Sequence, residues 1–342
     1  MKQFSNRFLV PRNDKRTDKK DKVESGTTET DEKTKLAFRK IVNNKDRKVL
    51  QMKERGNVTE IDALVKLLDD PDEEVFLNVQ EKLLEYGNDA ISHLETAWEK
   101  SLDTMMQERI ENIVHTIQFT NVKQDLNLWY QSGAFDLLQG ALIINRYQFP
   151  DLDEQAIINQ IEDIKREIWV GLQYEMSSIE KIKLINHVFY SQFGFGGNTK
   201  NHHDPQNSYL NQVLESKKGN QISLAIIYST IAQKLDIPVY GVNLPQHFIL
   251  GYIDESNPDR EQAVLFYINA FNKGAIFGKH DVDQFLRQLN LEPQPGFYAP
   301  CSNAEIVRRI IRNLISAYEN LGAAEKVAEL KEMQDILSDT SN

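Results

Sequence analysis

The stretch GNQISLAIIYSTIAQKLDIPVYGVNLPQHFILGYI, residues 219–253, decides the fold. From Ile222 to Ala232 it is apolar at almost every position, which predicts a helix buried on all sides. PVYGVNLPQHFILGYI then switches to the β-rich composition of strands, and AVLFYINAF (263–271) repeats it after the polar turn DESNPDREQ. The expected core is therefore α+β. A helix over about 221–235 packs against an antiparallel sheet containing 239–243, 247–253 and 263–269.

Outward from this block the chain reads as helical. Upstream, FDLLQGALIINRYQFPDLDEQAIINQIEDIKREI (135–168) carries apolar residues at three-to-four spacing and breaks at Pro150, and IEKIKLINHVFYSQFGF (179–195) continues the period. Further upstream, LVKLLDDPDEEVFLNVQEKLLEYG (64–87) places Leu64, Leu67 and Leu68 on one stripe and Val75, Val79, Leu83 and Leu84 on a second. Between the stripes, Asp70 reads as a helix cap, with Pro71 at the first helical position and Glu73 three residues after the cap. This pair resembles a HEAT repeat, and a weaker second unit follows near 90–118. At the other end, Ser302 and Glu305 form a capping box. Ile306, Ile310, Leu314 and Ala317, then Val327, Leu330, Met333 and Leu337 across the break at Gly322, make a helical hairpin that resembles one tetratricopeptide unit. The expected divisions are a basic leader over 1–34, a HEAT-like segment over 35–130, the core over 131–300 and the hairpin over 301–338.

Composition bounds the function. The chain of 342 residues has one cysteine, which excludes an internal disulfide and fits a reducing, cytoplasmic compartment. No apolar stretch approaches the ~18–20 residues that a membrane helix needs. The start MKQFSNRFLVPRND has an apolar run too short for a signal peptide. Through Lys48 the sequence holds 15 Lys+Arg against 8 Asp+Glu, a balance of +7. Since the total is −11, residues 49–342 carry −18. That acidic body argues against binding nucleic acid through phosphates. The basic leader reads first as a solvated disordered tail, with contact to nucleic acid or an acidic surface as the other reading.

FPDLDEQAIINQIEDI, FGFGGNTKNHHDPQNSYLNQVLESKKGNQISLAIIYSTIAQKLDIPVYGVNLPQHFIL and INAFNKG, in this order, resemble the SirB family of bacterial transglutaminase-like proteins over roughly 134–337. The resemblance implies a transglutaminase-like core, flanked here by helical repeats on the N-terminal side and the hairpin on the C-terminal side. It puts Ser223 at the position of the nucleophilic cysteine of true transglutaminases and His247 at the general base. Asn269 falls where many relatives carry an aspartate in a phrase like I-D-P-F-N; here the phrase is Ile268-Asn269-Ala270-Phe271-Asn272.

The chemistry of this degenerate triad is unfavourable. A thiol can lose its proton to an adjacent histidine and wait as an ion pair, whereas an alcohol must lose its proton during attack. Serine therefore depends on a partner that both orients and charges the imidazole, and asparagine supplies no charge. In a serine protease the Asp→Asn change costs about 10⁴ in rate, roughly 5.5 kcal/mol. Each residue also has a structural reading: Ser223 as a helix-start hydroxyl bonded to backbone, His247 as a packed strand histidine, Asn269 as a turn residue. Two functions follow. One is a catalytically silent module that binds a protein partner through its helical segments. The other is an amide or ester hydrolase or acyltransferase with Ser223 attacking, His247 as base, Asn269 as orienter, and backbone N–H groups near Gln221–Ser223 holding the oxyanion.

No cofactor is implied. His202-His203-Asp204, with His280, lacks the spacing of a metal site. Gly194-Phe195-Gly196-Gly197-Asn198 lacks the Gly-Lys ending of a phosphate loop and reads as a turn at the site mouth. Cys301, beside the Ser302 cap, reads as a linker residue.

Overall fold

Ile222 to Ala232 are all buried, so the central helix has no solvent face and must be covered on every side. The computed structural model of the chain describes residues 58–259 and 262–338. The basic leader expected over 1–34 and the helix onset near Leu36 lie outside them.

The helices of the larger unit, residues 68–338, are α1 (Glu73–Tyr86), α2 (Asn88–Lys100), α3 (Thr104–Gln131), α4 (Leu137–Gln148), α5 (Glu154–Gly171), α6 (Ser178–Asn186), α7 (Leu210–Ser216), α8 (Gln221–Gln233), α9 (Lys279–Gln288), α10 (Asn303–Leu321) and α11 (Ala324–Ile336). The strands are β1 (Gly196–Gly197), β2 (Lys218–Gly219), β3 (Val239–Leu244), β4 (His247–Ile253), β5 (Val264–Asn269) and β6 (Ala275–Phe277). Residues 58–67 belong to a separate unit, mostly helical, in which Ile61 and Val65 are buried and Leu67 is exposed. The stripe expected through Leu67 is therefore displaced. The α1 cap is also displaced: Asp72, not Asp70, accepts the Glu74 N–H at 2.9 Å, and Pro71 lies outside the helix.

The sheet runs β3-β4-β5-β6, antiparallel throughout. The fold class is α+β, as expected. Phe248, Leu250, Tyr252 and Ile268 join the main core with α8. Val242, Leu244, Ile249 and Tyr267 join a second core with Val282 and Leu286 of α9 and Tyr298. Alternate side chains thus enter two cores, and β4 is buried from Phe248 to Ile253. The helix behind the sheet was not anticipated, although Val282, Phe285 and Leu286 carry the helical period. The strand β6 and the short parallel pair β1–β2 were also missed. Two- and three-residue strands have no period to read.

On its other sides α8 is packed by α4, α5, α7 and α10. α3 crosses the expected boundary at 130/131, and Phe119, Val122, Leu126 and Trp129 enter the same core as α8. The hairpin α10–α11 forms with Gly322 in the left-handed conformation at its turn. Ile306, Val307, Ile310 and Leu314 bury against that core too.

Candidate functional site

Three chain segments meet where α8 begins, β4 begins and β5 ends. Asn220 caps α8, its Oδ1 accepting from Ile222 N at 3.1 Å and Ser223 N at 2.9 Å. Of the backbone donors near Gln221–Ser223 considered for an oxyanion, those of Ile222 and Ser223 are therefore already taken by the cap.

Ser223 is fully buried. Its hydroxyl donates to Asn207 O at 2.7 Å and accepts from Asn220 N at 3.1 Å. It makes no hydrogen bond to His247. The expected Ser223–His247–Asn269 relay is not assembled; only its second and third members meet. The physical reason is azimuth. Successive helical residues turn by ~100°, so Ser223 lies about 200° around the helix from Gln221. Gln221 is the residue that faces the imidazole.

Gln221 Oε1 accepts the Phe248 N–H at 3.1 Å, which aims its Nε2 at His247 Nδ1, 2.9 Å away. Across the ring, Asn269 Oδ1 accepts from Phe271 N at 3.1 Å and Asn272 N at 3.0 Å. Its Nδ2 is thereby aimed at His247 Nε2, 3.3 Å away. Both ring nitrogens meet amide NH₂ groups. A neutral imidazole has one acceptor and one donor nitrogen, so whichever tautomer forms, one contact sets a donor against a donor. Burial, and then the positive charge of Arg309, hold the His247 pKa below its ordinary value. Both causes favour the neutral ring, and protonation would turn both contacts into mismatches.

The loop after β5 that aims Asn269 is fixed from α6 and its continuation. Asn186 Nδ2 donates to Gly274 O at 2.9 Å and Tyr190 OH to Ala270 O at 2.8 Å. Gly274 has φ +69°, and a Cβ there would stand 1.9 Å from Asn186 Oδ1. Only glycine fits, so this loop has one shape.

Beside the site is a cavity of about 380 Å³ whose walls include Asn220, Gln221, Phe248, Phe271 and Arg309. His202, His203 and Asp204 line its rim. Asp204 is engaged with its own loop, accepting from Gln206 N and Asn201 Nδ2. Among the described residues no three His, Cys, Asp or Glu side chains gather where they could hold a metal. Cys301 donates to Gly241 O at 3.3 Å, and burial pushes its thiol pKa up to about 12. It is not a poised nucleophile. Among the described residues no helix is long and apolar enough to cross a membrane.

Sequence reasoning missed Gln221 and Arg309. The first could have been found by laying 221–233 on a helical wheel. The second had no local signal, because Arg309 meets the cavity through folding alone.

The helix, the sheet and the placement of the histidine define a transglutaminase-like protein, and the family model described as the transglutaminase-like superfamily matches residues 155–312. A UPF0162 protein of Xylella fastidiosa is 30% identical over 222 residues, covering 59% of this chain and 74% of that protein. The chain belongs to the UPF0162 family. A UPF0162 protein of Vibrio cholerae is 27% identical over 153 residues, covering 45% of this chain and 54% of the relative. Mouse F-box only protein 21 is 28% identical over 226 residues, covering 58% of this chain but 35% of its own length. No solved structure matches the chain.

Proposed function

We propose that this protein is a catalytically silent, cytoplasmic transglutaminase-like protein that acts by binding a protein partner. One observation carries the reading: the His247 ring lies between two side-chain amides, and among the described residues no hydroxyl or thiol hydrogen-bonds to either nitrogen. A general base needs a proton to take, and an amide N–H at 2.9 Å is not a usable one. Ser223, the hydroxyl that the family resemblance offers as nucleophile, is spent in the helix cap. The single cysteine fits the cytoplasmic assignment. The α1–α3 helices and the α10–α11 hairpin, read as HEAT-like and tetratricopeptide-like, supply the extended helical surface suited to a protein partner.

Incubation of the full chain with a fluorophosphonate probe tests the silence. The expected result is folded protein with Ser223 unlabelled. Labelling of Ser223 that disappears in His247→Ala would overturn the proposal and restore the hydrolase reading.

A further inference from the structure

Arg309 is the charge that this site leaves unanswered. Its guanidinium is half-buried, on α10, at the wall of the 380 Å³ cavity. Nη1 donates to Asn243 Oδ1 at 3.1 Å and to Leu244 O at 3.5 Å, bracing the end of β3. Nε and Nη2 donate to nothing in the described residues, and the guanidinium is in no ion pair there. The charged side chain that acts on it most strongly is Arg312, three residues along the helix, which has the same sign. Partial burial of a cation without a counter-ion is costly, and acidic side chains are plentiful in a chain of net charge −11.

The geometry points to this cavity as a binding site for the carboxylate of a peptide, received by the open Nε–Nη2 edge of Arg309. That edge presents two parallel N–H donors, matched to the two oxygens of a carboxylate. A phosphate fits less well, since its second charge would face the Asp204 carboxylate at the rim. The remaining walls suit a peptide. Asn313 brings a side-chain amide that can meet a backbone N–H or C=O group, while Phe248 and Phe271 give apolar contact. The volume lies within the usual ~300–1,000 Å³ of small-ligand pockets. This inference rests on the binding reading above and names the ligand chemistry for the same site. Burial, and then Arg312, lower the Arg309 pKa, yet an arginine remains charged at any physiological pH.

The carboxylate can come from a chain terminus or from an acidic side chain, and three fluorescent degenerate tetrapeptide pools separate them. One has a free C-terminus and neutral side chains, one is amidated with a fixed Glu, and one is amidated and neutral. Anisotropy with the full chain is expected to show at least one carboxylate pool bound about tenfold or more tighter than the neutral pool. Arg309→Gln is expected to remove that advantage. Asn313→Asp, one turn from Arg309, is expected to remove it too by supplying an internal carboxylate, with the arginine and its brace intact. The inference is overturned if no pool binds, if the neutral pool binds equally, or if the advantage survives Arg309→Gln. Mass spectrometry of the recovered pools reads turnover separately. Cleaved peptides would sink the silent reading, whereas intact unbound pools sink only the carboxylate inference.

Discussion

Asn269→Asp changes one atom of the site and should shift the charge preference of its histidine. In the native arrangement Asn269 Oδ1 is held by two backbone N–H groups, so an NH₂ must face His247 Nε2. An aspartate keeps both backbone bonds through one oxygen and turns the other, an acceptor, to the ring. At the observed 3.3 Å a carboxylate raises a neighbouring histidine pKa by roughly 1–3 units, about 1.4–4 kcal/mol in favour of the imidazolium. The native pKa lies below 6.5 because of burial and Arg309, so the variant should titrate well above the native protein. The gain should sit toward the low end while Gln221 stays in place, because a protonated Nδ1 would face the Gln221 NH₂. The assay is a pH titration of the ring by nitrogen–proton correlation NMR, with His247→Gln to assign one signal among seven histidines.

Stability should report the same change through linkage. A native histidine pKa below the unfolded value means that the unfolded chain binds more protons between the two values. Native stability therefore rises with pH across that window and falls as pH drops through about 6.5. With aspartate at 269 the folded pKa should move up toward the unfolded one, so the loss of stability as pH drops through about 6.5 should shrink. A titration midpoint unmoved by Asn269→Asp, in a variant that remains folded, would refute the placement of Asn269 against the ring.

Other substitutions separate the roles of the remaining residues. Ser223→Ala should cost about 0.5–1.5 kcal/mol in urea unfolding, because it removes the hydroxyl's bonds to Asn220 N and Asn207 O while those two groups keep their own bond at 3.2 Å; no loss would contradict a cap role. Gln221→Cys combined with Asn269→Asp should be alkylated by iodoacetamide at pH 6–7 about tenfold or more faster than Ser223→Cys with the same partner change. Equal rates would show that helix azimuth does not select the residue facing the ring. Arg309→Gln should raise the His247 pKa by removing the positive charge, and an unchanged titration would place that charge out of reach of the ring. Gln221→Ala added to Asn269→Asp should raise the His247 pKa further than the single change. Strict additivity of the two would deny the donor conflict at Nδ1.

The chain announced its core more plainly than its site. The switch from unbroken apolar residues at 222–232 to β-branched and aromatic residues after 239 located α8 and the β3–β4 hairpin within a residue or two. Tertiary burial hid the rest. A helix apolar on all faces has no polar stripe to mark which side looks at the sheet. The sequence therefore left the facing side of the helix open, and the family resemblance put Ser223 there. Coordinates resolve the choice because Asn207 arrives from a distant loop to take the Ser223 proton. Asn269 and His247 were legible because a strand end has only two faces. Arg309 was not, since a cation on an amphipathic helix reads as solvated until the fold puts a cavity beside it.

The two amides and the arginine are best understood together. With a carboxylate at 269, the charge of Arg309 that now reaches His247 would be partly neutralised, and the ring could hold a proton between catalytic partners. With asparagine there and glutamine at 221, no anion remains at the ring, the imidazole stays neutral, and Arg309 keeps an uncancelled positive field at the cavity wall. Each change that weakens proton transfer thus strengthens the attraction for an incoming anion. A half-buried guanidinium with no counter-ion among the described residues, beside an uncharged pair of amides, is the arrangement that the proposed carboxylate site requires.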